Sequence, residues 1–462
     1  MTRAAAIEYA TDYFDSGAFL DDLSRRVAYR TESQARPLPE AMREYLEGEM
    51  IPAARRLGAQ AWVLDNPDAD AGPVLLARRD EDPGLPTVLT YGHADVVLGE
   101  EHRWRAGLDP WLVTIEGDRW YGRGTADNKG QHTINLAALD QVIRAREGRL
   151  GFNLKILIET GEEAGSPGLR EFCAAHRDEL AADLLVGSDG PRVAADRPTV
   201  FLGTRGAAWF TLRAPLRERA YHSGNWGGLL RNPATVLAGA IASLVDGRGQ
   251  IQVPELRPPE MPANVRAALS DIEVGGEPGD PEVDSEWGEP GLTPAERVIG
   301  WNTLEVLSLA AGSPGIPINA IPGSAHAHCQ LRFVVGTDIA RLHAGLRAHL
   351  DSHGYSMITV EPGGIMNASR TDPDHPWVRF ALDSLERTAA TTPALLPNLG
   401  GSLPNDVFTD ELGMPTIWVP HSYPACAQHA PDEHLLAPLA RQSLQLMAGL
   451  FWDIGEAGNT HI

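Results

Sequence analysis

Short apolar runs punctuate the chain and end in polar or glycine-rich sequence. "TVLTYGHADVV" (87–97), "LKILIET" (154–160), "ADLLVGSD" (182–189) and "PTIWVP" (415–420) read as buried strands. Between them, "HTINLAALDQVIRARE" (132–147) and "PGLREFCAAHRDELA" (167–181) place apolar residues at helical spacing. Strands alternating with helices predict an α/β domain with a largely parallel sheet flanked by helices. The middle of the chain differs. "TVFLGTRGAAWFTLRAPL" and "AHAHCQLRFVVG" alternate like strands with one wet face, and a helical stretch, "NPATVLAGAIASLVDG", lies between them. An α+β insert is therefore expected over 206–367, between α/β segments 1–205 and 368–462. Within it, residues 271–291 are acidic and rich in Gly and Pro, which predicts a surface loop.

Composition narrows the function. The 462 residues carry a formal net charge of -23, from 39 basic and 62 acidic residues. So acidic a surface argues against nucleic acid and anionic membranes as partners. The three cysteines, Cys173, Cys329 and Cys426, show no paired spacing, which disfavours a disulfide framework or a cysteine zinc site. The N-terminal sequence lacks the apolar core of a signal peptide, and no run is long enough to span a membrane. A cytoplasmic protein is expected.

The candidate chemistry lies where the apolar runs stop. "GHADVV" puts His93 and Asp95 two apart, on one face of an extended chain. "YGRGTADNKG" puts Asp127 just before a helix, where an N-cap is the ordinary role. "ETGEEAGSPG" holds the adjacent Glu162 and Glu163, whose side chains point opposite ways if the chain is extended. Asp189 ends "LLVGSD", and His429 follows the last strand in "CAQHAPDEHLL". Each has a bland reading as a cap, a turn residue or a loop histidine. Together, His93, Asp127, Glu163, Asp189 and His429 all fall at or just beyond strand ends. Two imidazoles and three carboxylates suit two divalent ions with one carboxylate bridging, and a spare carboxylate beside them suits a general base.

In order along nearly the whole chain, "GHADVV", "GRGTADNKG", "ETGEEAGSPGL", "GSDG", "YHSGNWGG", "QLRFVVG", "LGGSLP" and "HAPDEH" resemble the motifs of the M20 metallopeptidases, which include carnosinase-like dipeptidases, aminoacylases and glutamate carboxypeptidases. The resemblance implies a catalytic domain with a di-metal site, formed by 1–205 and 368–462, and a lid and dimerisation domain over 206–367. It implies that His93 and Asp189 hold a first metal, Glu163 and His429 a second, and that Asp127 bridges them. Asp95 would orient His93, and Glu162 would be the general base. The ions would be zinc, with manganese or cobalt as alternatives. A cis peptide is expected at Asp127–Asn128.

In the insert, His222 of "HSG" matches a histidine that reaches across a homodimer to the partner's active site and stabilises the oxyanion. Arg332 and Asn319 match substrate contacts of the lid. Gly400, Gly401 and Ser402 match a loop that binds the substrate's carboxylate. Leu98, and Phe333 to Gly336, depart from the commoner family pattern without touching a ligand. His421 rivals His429 as the last ligand, and the H-x-x-x-E pattern favours His429. Glu159 keeps no assignment beyond a structural one. The implied activity is hydrolysis of an amide next to a free carboxylate, in a dipeptide or similar small peptide. The alternatives are an N-acyl amino acid amidohydrolase or other C–N hydrolase and, more remotely, a silent metal-binding scaffold or regulatory subunit.

Overall fold

The computed structural model describes residues 2–276, 281–313 and 315–458. They form two compact units. One comprises residues 1–203, 370–397 and 403–462; the other comprises 204–369 and 398–402. The sequence pattern sets its boundaries at 205/206 and 367/368 and leaves 398–402 with the later α/β segment. That short stretch groups with the insert because Leu399 bridges to Thr204, the Gly400 carbonyl accepts from Arg205, and Ser402 bonds Arg332.

The first unit is built on an eight-stranded mixed sheet. Its spatial order is Gln60–Leu64, Val74–Arg79, Asn153–Glu159, Thr87–His93, Leu184–Gly187, Thr416–Trp418, Thr199–Phe201, Ala394–Leu396. The four central strands, from Asn153–Glu159 to Thr416–Trp418, run parallel. They are the runs that read as buried from sequence, and they are buried along almost their whole length, as a sheet covered on both faces requires. Gln60–Leu64 and Val74–Arg79 form an antiparallel margin. The helices Lys129–Ala145 and Ala437–Ala457 supply much of the core, with Ile134, Leu139, Leu444 and Phe451 fully buried. The helix expected over 167–181 is two pieces, Leu169–Ala175 and Arg177–Leu180, because His176 leaves helical geometry (φ -109°, ψ 27°).

The second unit has a four-stranded antiparallel sheet in the order Thr303–Ala311, Ser324–Phe333, Gly206–Pro215, Thr359–Met366. Its alternating pattern sends Leu212, Ala327 and Leu331 inward, where Leu237 and Leu346 of two helices meet them. The described part of 271–291 contains no helix or strand; residues 277–280 lie outside the described residues. No helix among the described residues is long and apolar enough to cross a membrane.

One glycine shows how tightly the loop before Lys129–Ala145 is folded. A Cβ on Gly130 would lie 1.9 Å from the Thr125 carbonyl oxygen, which is backbone and cannot step aside. Alanine is ordinarily the better helix former. Here Gly130→Ala is expected to lower stability by about 2 kcal/mol in denaturant melts. Unchanged or raised stability would show that the loop can yield.

Candidate metal centre

Parallel strands deliver their carboxyl ends to one edge of the sheet, and in open α/β sheets ligands bind there. Thr87–His93 ends on His93, level with Glu159 at the end of its neighbour. A 3-10 turn over Glu162–Ala164 follows that neighbour. Asp189 lies two residues beyond Leu184–Gly187. Asp127 arrives on the loop before Lys129–Ala145, and His429 on the loop after Thr416–Trp418.

The helix N-cap is Asn128, so Asp127 is free of the capping role that its position suggested. The Asp127–Asn128 peptide is cis, as expected. The two Asp127 oxygens face different partners. Oδ1 is 2.9 Å from His93 Nε2, and Oδ2 is 2.9 Å from His429 Nε2. Asp189 Oδ2 completes the first trio, 3.5 Å from His93 Nε2. Glu163 Oε2 completes the second, 2.9 Å from His429 Nε2. In each trio, His93–Asp127–Asp189 and Asp127–Glu163–His429, the candidate ligand atoms lie within 4.8 Å of one another.

Asp95 supports both sides. Its Oδ1 and its carbonyl oxygen lie 3.3 Å and 3.1 Å from His93 Nδ1, so that nitrogen carries the proton and Nε2 is left to bind. Its two carboxylate oxygens also accept the backbone N–H groups of Glu162 and Glu163, at 3.2 Å and 3.0 Å. Glu162 Oε2 stands 4.0 Å from His93 Nε2, outside both trios. Glu159 turns away to Tyr91 and Ser166, as a structural carboxylate would. His421 is buried, with Nε2 against Ser188 and Asn135, so the imidazole in the second trio is that of His429.

The electrostatics call for cations. Burial, then the charge of Asp127, pushes both Glu163 and Asp189 up to about 7. Burial also raises Glu162 well above the ordinary carboxylate range, against the opposing pull of His93. Hydrogen bonds to Asp127 and Glu163 lift His429 to about 11. His93 is raised as well: burial opposes the charge, but Asp127 and Asp95 outweigh it. Asp127 is held low in spite of burial, by its bonds to the two histidines. Protons thus do the balancing that cations would do. Asp189 Oδ2 is moreover buried without a hydrogen-bond partner, a costly state that a cation would relieve. A donor set of imidazole and carboxylate fits borderline divalent metals such as zinc.

The sequence profile of peptidase family M20/M25/M40 matches residues 89–452. The chain belongs to this family. It is 33% identical to the Beta-Ala-His dipeptidase of Rattus norvegicus over 267 residues, 54% of this chain and 54% of that protein, so it spans about half the length of that relative. It is 26% identical to the Cysteinylglycine-S-conjugate dipeptidase of Corynebacterium striatum over 356 residues, 74% of this chain and 75% of that one. Human carnosine dipeptidase 1 shares the fold, with a TM-score of 0.78 at 24% identity over 98% of this chain and 99% of the other.

The remaining positions singled out by the M20 motifs lie in the second unit. Arg332 donates from Nη1 to Ser402 Oγ at 2.8 Å, and Gly401 is exposed beside it in sequence. His222 is exposed; its Nδ1 accepts the Gly224 N–H at 3.1 Å, which leaves Nε2 as the donor. Asn319 is its neighbour, since Ala320 pairs with His222 and the Asn319 carbonyl accepts from Ser223. Arg205 is a support that the sequence motifs do not single out. Its buried guanidinium donates to the Gly400 carbonyl at 3.2 Å and 3.1 Å, and its backbone carbonyl accepts from Ser402. The arginine in "GTRG" was the available signal, but nothing in sequence ties it to a turn some 195 residues away.

The raised groups make a pH prediction for the metal-free protein. Glu163, Asp189 and His429 all hold protons more tightly when folded, so their contribution is fullest at low pH and is lost as pH rises through the folded values. Asp127 acts oppositely, but only below its ordinary range near 3.8. Buried histidines elsewhere, His132 and His421 among them, titrate with the opposite sign over the same interval, so the site is read from the zinc-dependent difference: added zinc is expected to raise thermal stability more at pH 7 than at pH 5. A zinc-induced rise that is equal at the two pH values, or larger at pH 5, would contradict the assignment.

Proposed function

We propose that the protein is a two-zinc peptidase that hydrolyses the amide bond of a dipeptide or similar small peptide with a free carboxylate. The observation that carries this reading is Asp127, whose two oxygens face two separate imidazole–carboxylate trios. His93, Asp127 and Asp189 would hold one ion, and Asp127, Glu163 and His429 the other. When bound, such a pair polarises the scissile carbonyl and makes water a nucleophile near neutral pH.

Glu162 supplies the proton handling. It accepts a proton from the attacking water and returns it to the leaving amine. Its position outside both trios leaves it free to exchange a proton, and burial raises its carboxyl well above the ordinary range, which favours holding one. Asp95 keeps His93 in the binding tautomer. His222 Nε2, contributed by the partner subunit of a homodimer, donates to the oxyanion. Arg332 and Ser402 take the substrate carboxylate, with Gly400 and Gly401 in the turn beside Ser402, while Asn319 contacts substrate from beside His222. The dipeptidase names of the relatives support the substrate class. Exposed apolar side chains support a dimer: Leu307 and Leu309 on an edge strand, and Trp226 and Leu229 beyond His222. The three free, buried cysteines accord with a reducing, cytoplasmic setting.

Glu162→Gln is expected to keep both metals, measured by elemental analysis, while turnover of a dipeptide panel falls roughly 10³-fold. Ordinary turnover in that variant would remove the base assignment. Cleavage of N-acyl amino acids but not dipeptides by the native enzyme would favour the aminoacylase alternative. The doubly substituted Leu307→Glu, Leu309→Glu chain should sediment as a monomer, keep its metal and lose activity. A fully active monomer would rule out a histidine supplied by a partner.

A further inference from the structure

Antiparallel pairing of His434–Leu436 with Arg119–Tyr121 brings Glu433 beneath the loop that leads to Asp127. The Glu433 carbonyl accepts the Gly122 N–H at 3.0 Å. Its side chain does more. Oε1 accepts the backbone N–H groups of Gly124, Ala126 and Asp127, each at 3.0 Å. Oε2 accepts from Arg123 Nη1 at 2.8 Å, and both side chains of that ion pair are 1% exposed. From the other side, Gln131 donates to the Ala126 carbonyl at 3.0 Å.

A buried carboxylate beside Asp127 is unfavourable unless it performs a task. Mere support of a loop would be met more cheaply by an apolar side chain. What the carboxylate adds is direction: three amides converge on one oxygen, which fixes the backbone of Asp127 itself. Glu433 also stands four residues after His429, so one short segment carries an imidazole of the second trio and the anchor of the carboxylate it faces.

We infer that Glu433 is the positioning residue that sets Asp127 between the two metals, through the amide clamp and not through its ion pair with Arg123. This rests on the reading of Asp127 as a shared ligand. Three purified chains separate the contributions: Glu433→Asp, which withdraws the oxygen from the amides but keeps the charge; Arg123→Met, which breaks the ion pair but leaves the clamp; and the Arg123→Met, Glu433→Met double variant, which replaces both with apolar side chains. Zinc stoichiometry and affinity are read by chelator competition on protein shown to be folded by circular dichroism.

Glu433→Asp and the double variant are expected to bind one ion roughly tenfold or more weakly, and Arg123→Met to bind both as the native chain does, even where it melts earlier. Native affinity for both ions in Glu433→Asp would overturn the inference. So would an equal loss of zinc in Arg123→Met. If Glu433→Asp fails to fold, the double variant decides by the same criterion. A native chain that binds fewer than two ions would instead refute the shared-ligand reading.

Discussion

The structure is organised around the cost of putting like charges together. Asp127, Glu162, Glu163 and Asp189 meet at the carboxyl ends of the four parallel strands of the mixed sheet, two of them deeply buried. Carboxylates so close cannot all be ionised unless opposite charge is supplied. The chain supplies part of it with His93 and His429, and part with backbone dipoles. Bound protons or cations supply the rest, and Asp189 Oδ2, buried without a hydrogen-bond partner, is placed to face a cation. Family membership, the fold and the dipeptidase relatives are consistent with that demand, but the demand follows from the geometry alone.

The same constraint explains the two adjacent glutamates. Asp95 accepts the N–H groups of both, which holds a tight 3-10 turn and keeps their side chains apart. Glu163 is thereby turned to His429, while Glu162 remains nearer His93 without joining a trio. In the proposed mechanism one neighbour binds a metal and the other exchanges a proton. Two identical side chains acquire different surroundings from a single turn, so under that mechanism the order of the pair matters as much as its composition.

Much of this was legible in sequence because strand ends are legible. The buried runs ending at His93, Glu159 and Gly187 are apolar enough to be recognised, and a parallel arrangement then gathers whatever follows them. The antiparallel margin was not recognised: Gln60–Leu64 is nowhere fully buried, so its pattern is weak. Asp127 was ambiguous because an acid before a helix has an ordinary use as a cap, and only the fold shows Asn128 in that place. Arg205 and Glu433 were invisible as supports for a different reason. Their partners are largely backbone groups of distant turns, which have no side-chain signature to read.

The proposed function depends on Asp127 being shared between two ions. Diffraction from crystals of the zinc-loaded protein, recorded on both sides of the zinc absorption edge, tests it directly. Two anomalous peaks about 3.5–4 Å apart are expected, one beside His93 and Asp189, the other beside Glu163 and His429, with an Asp127 oxygen on each. A single peak, or two peaks of which one lies away from Asp127, would contradict it.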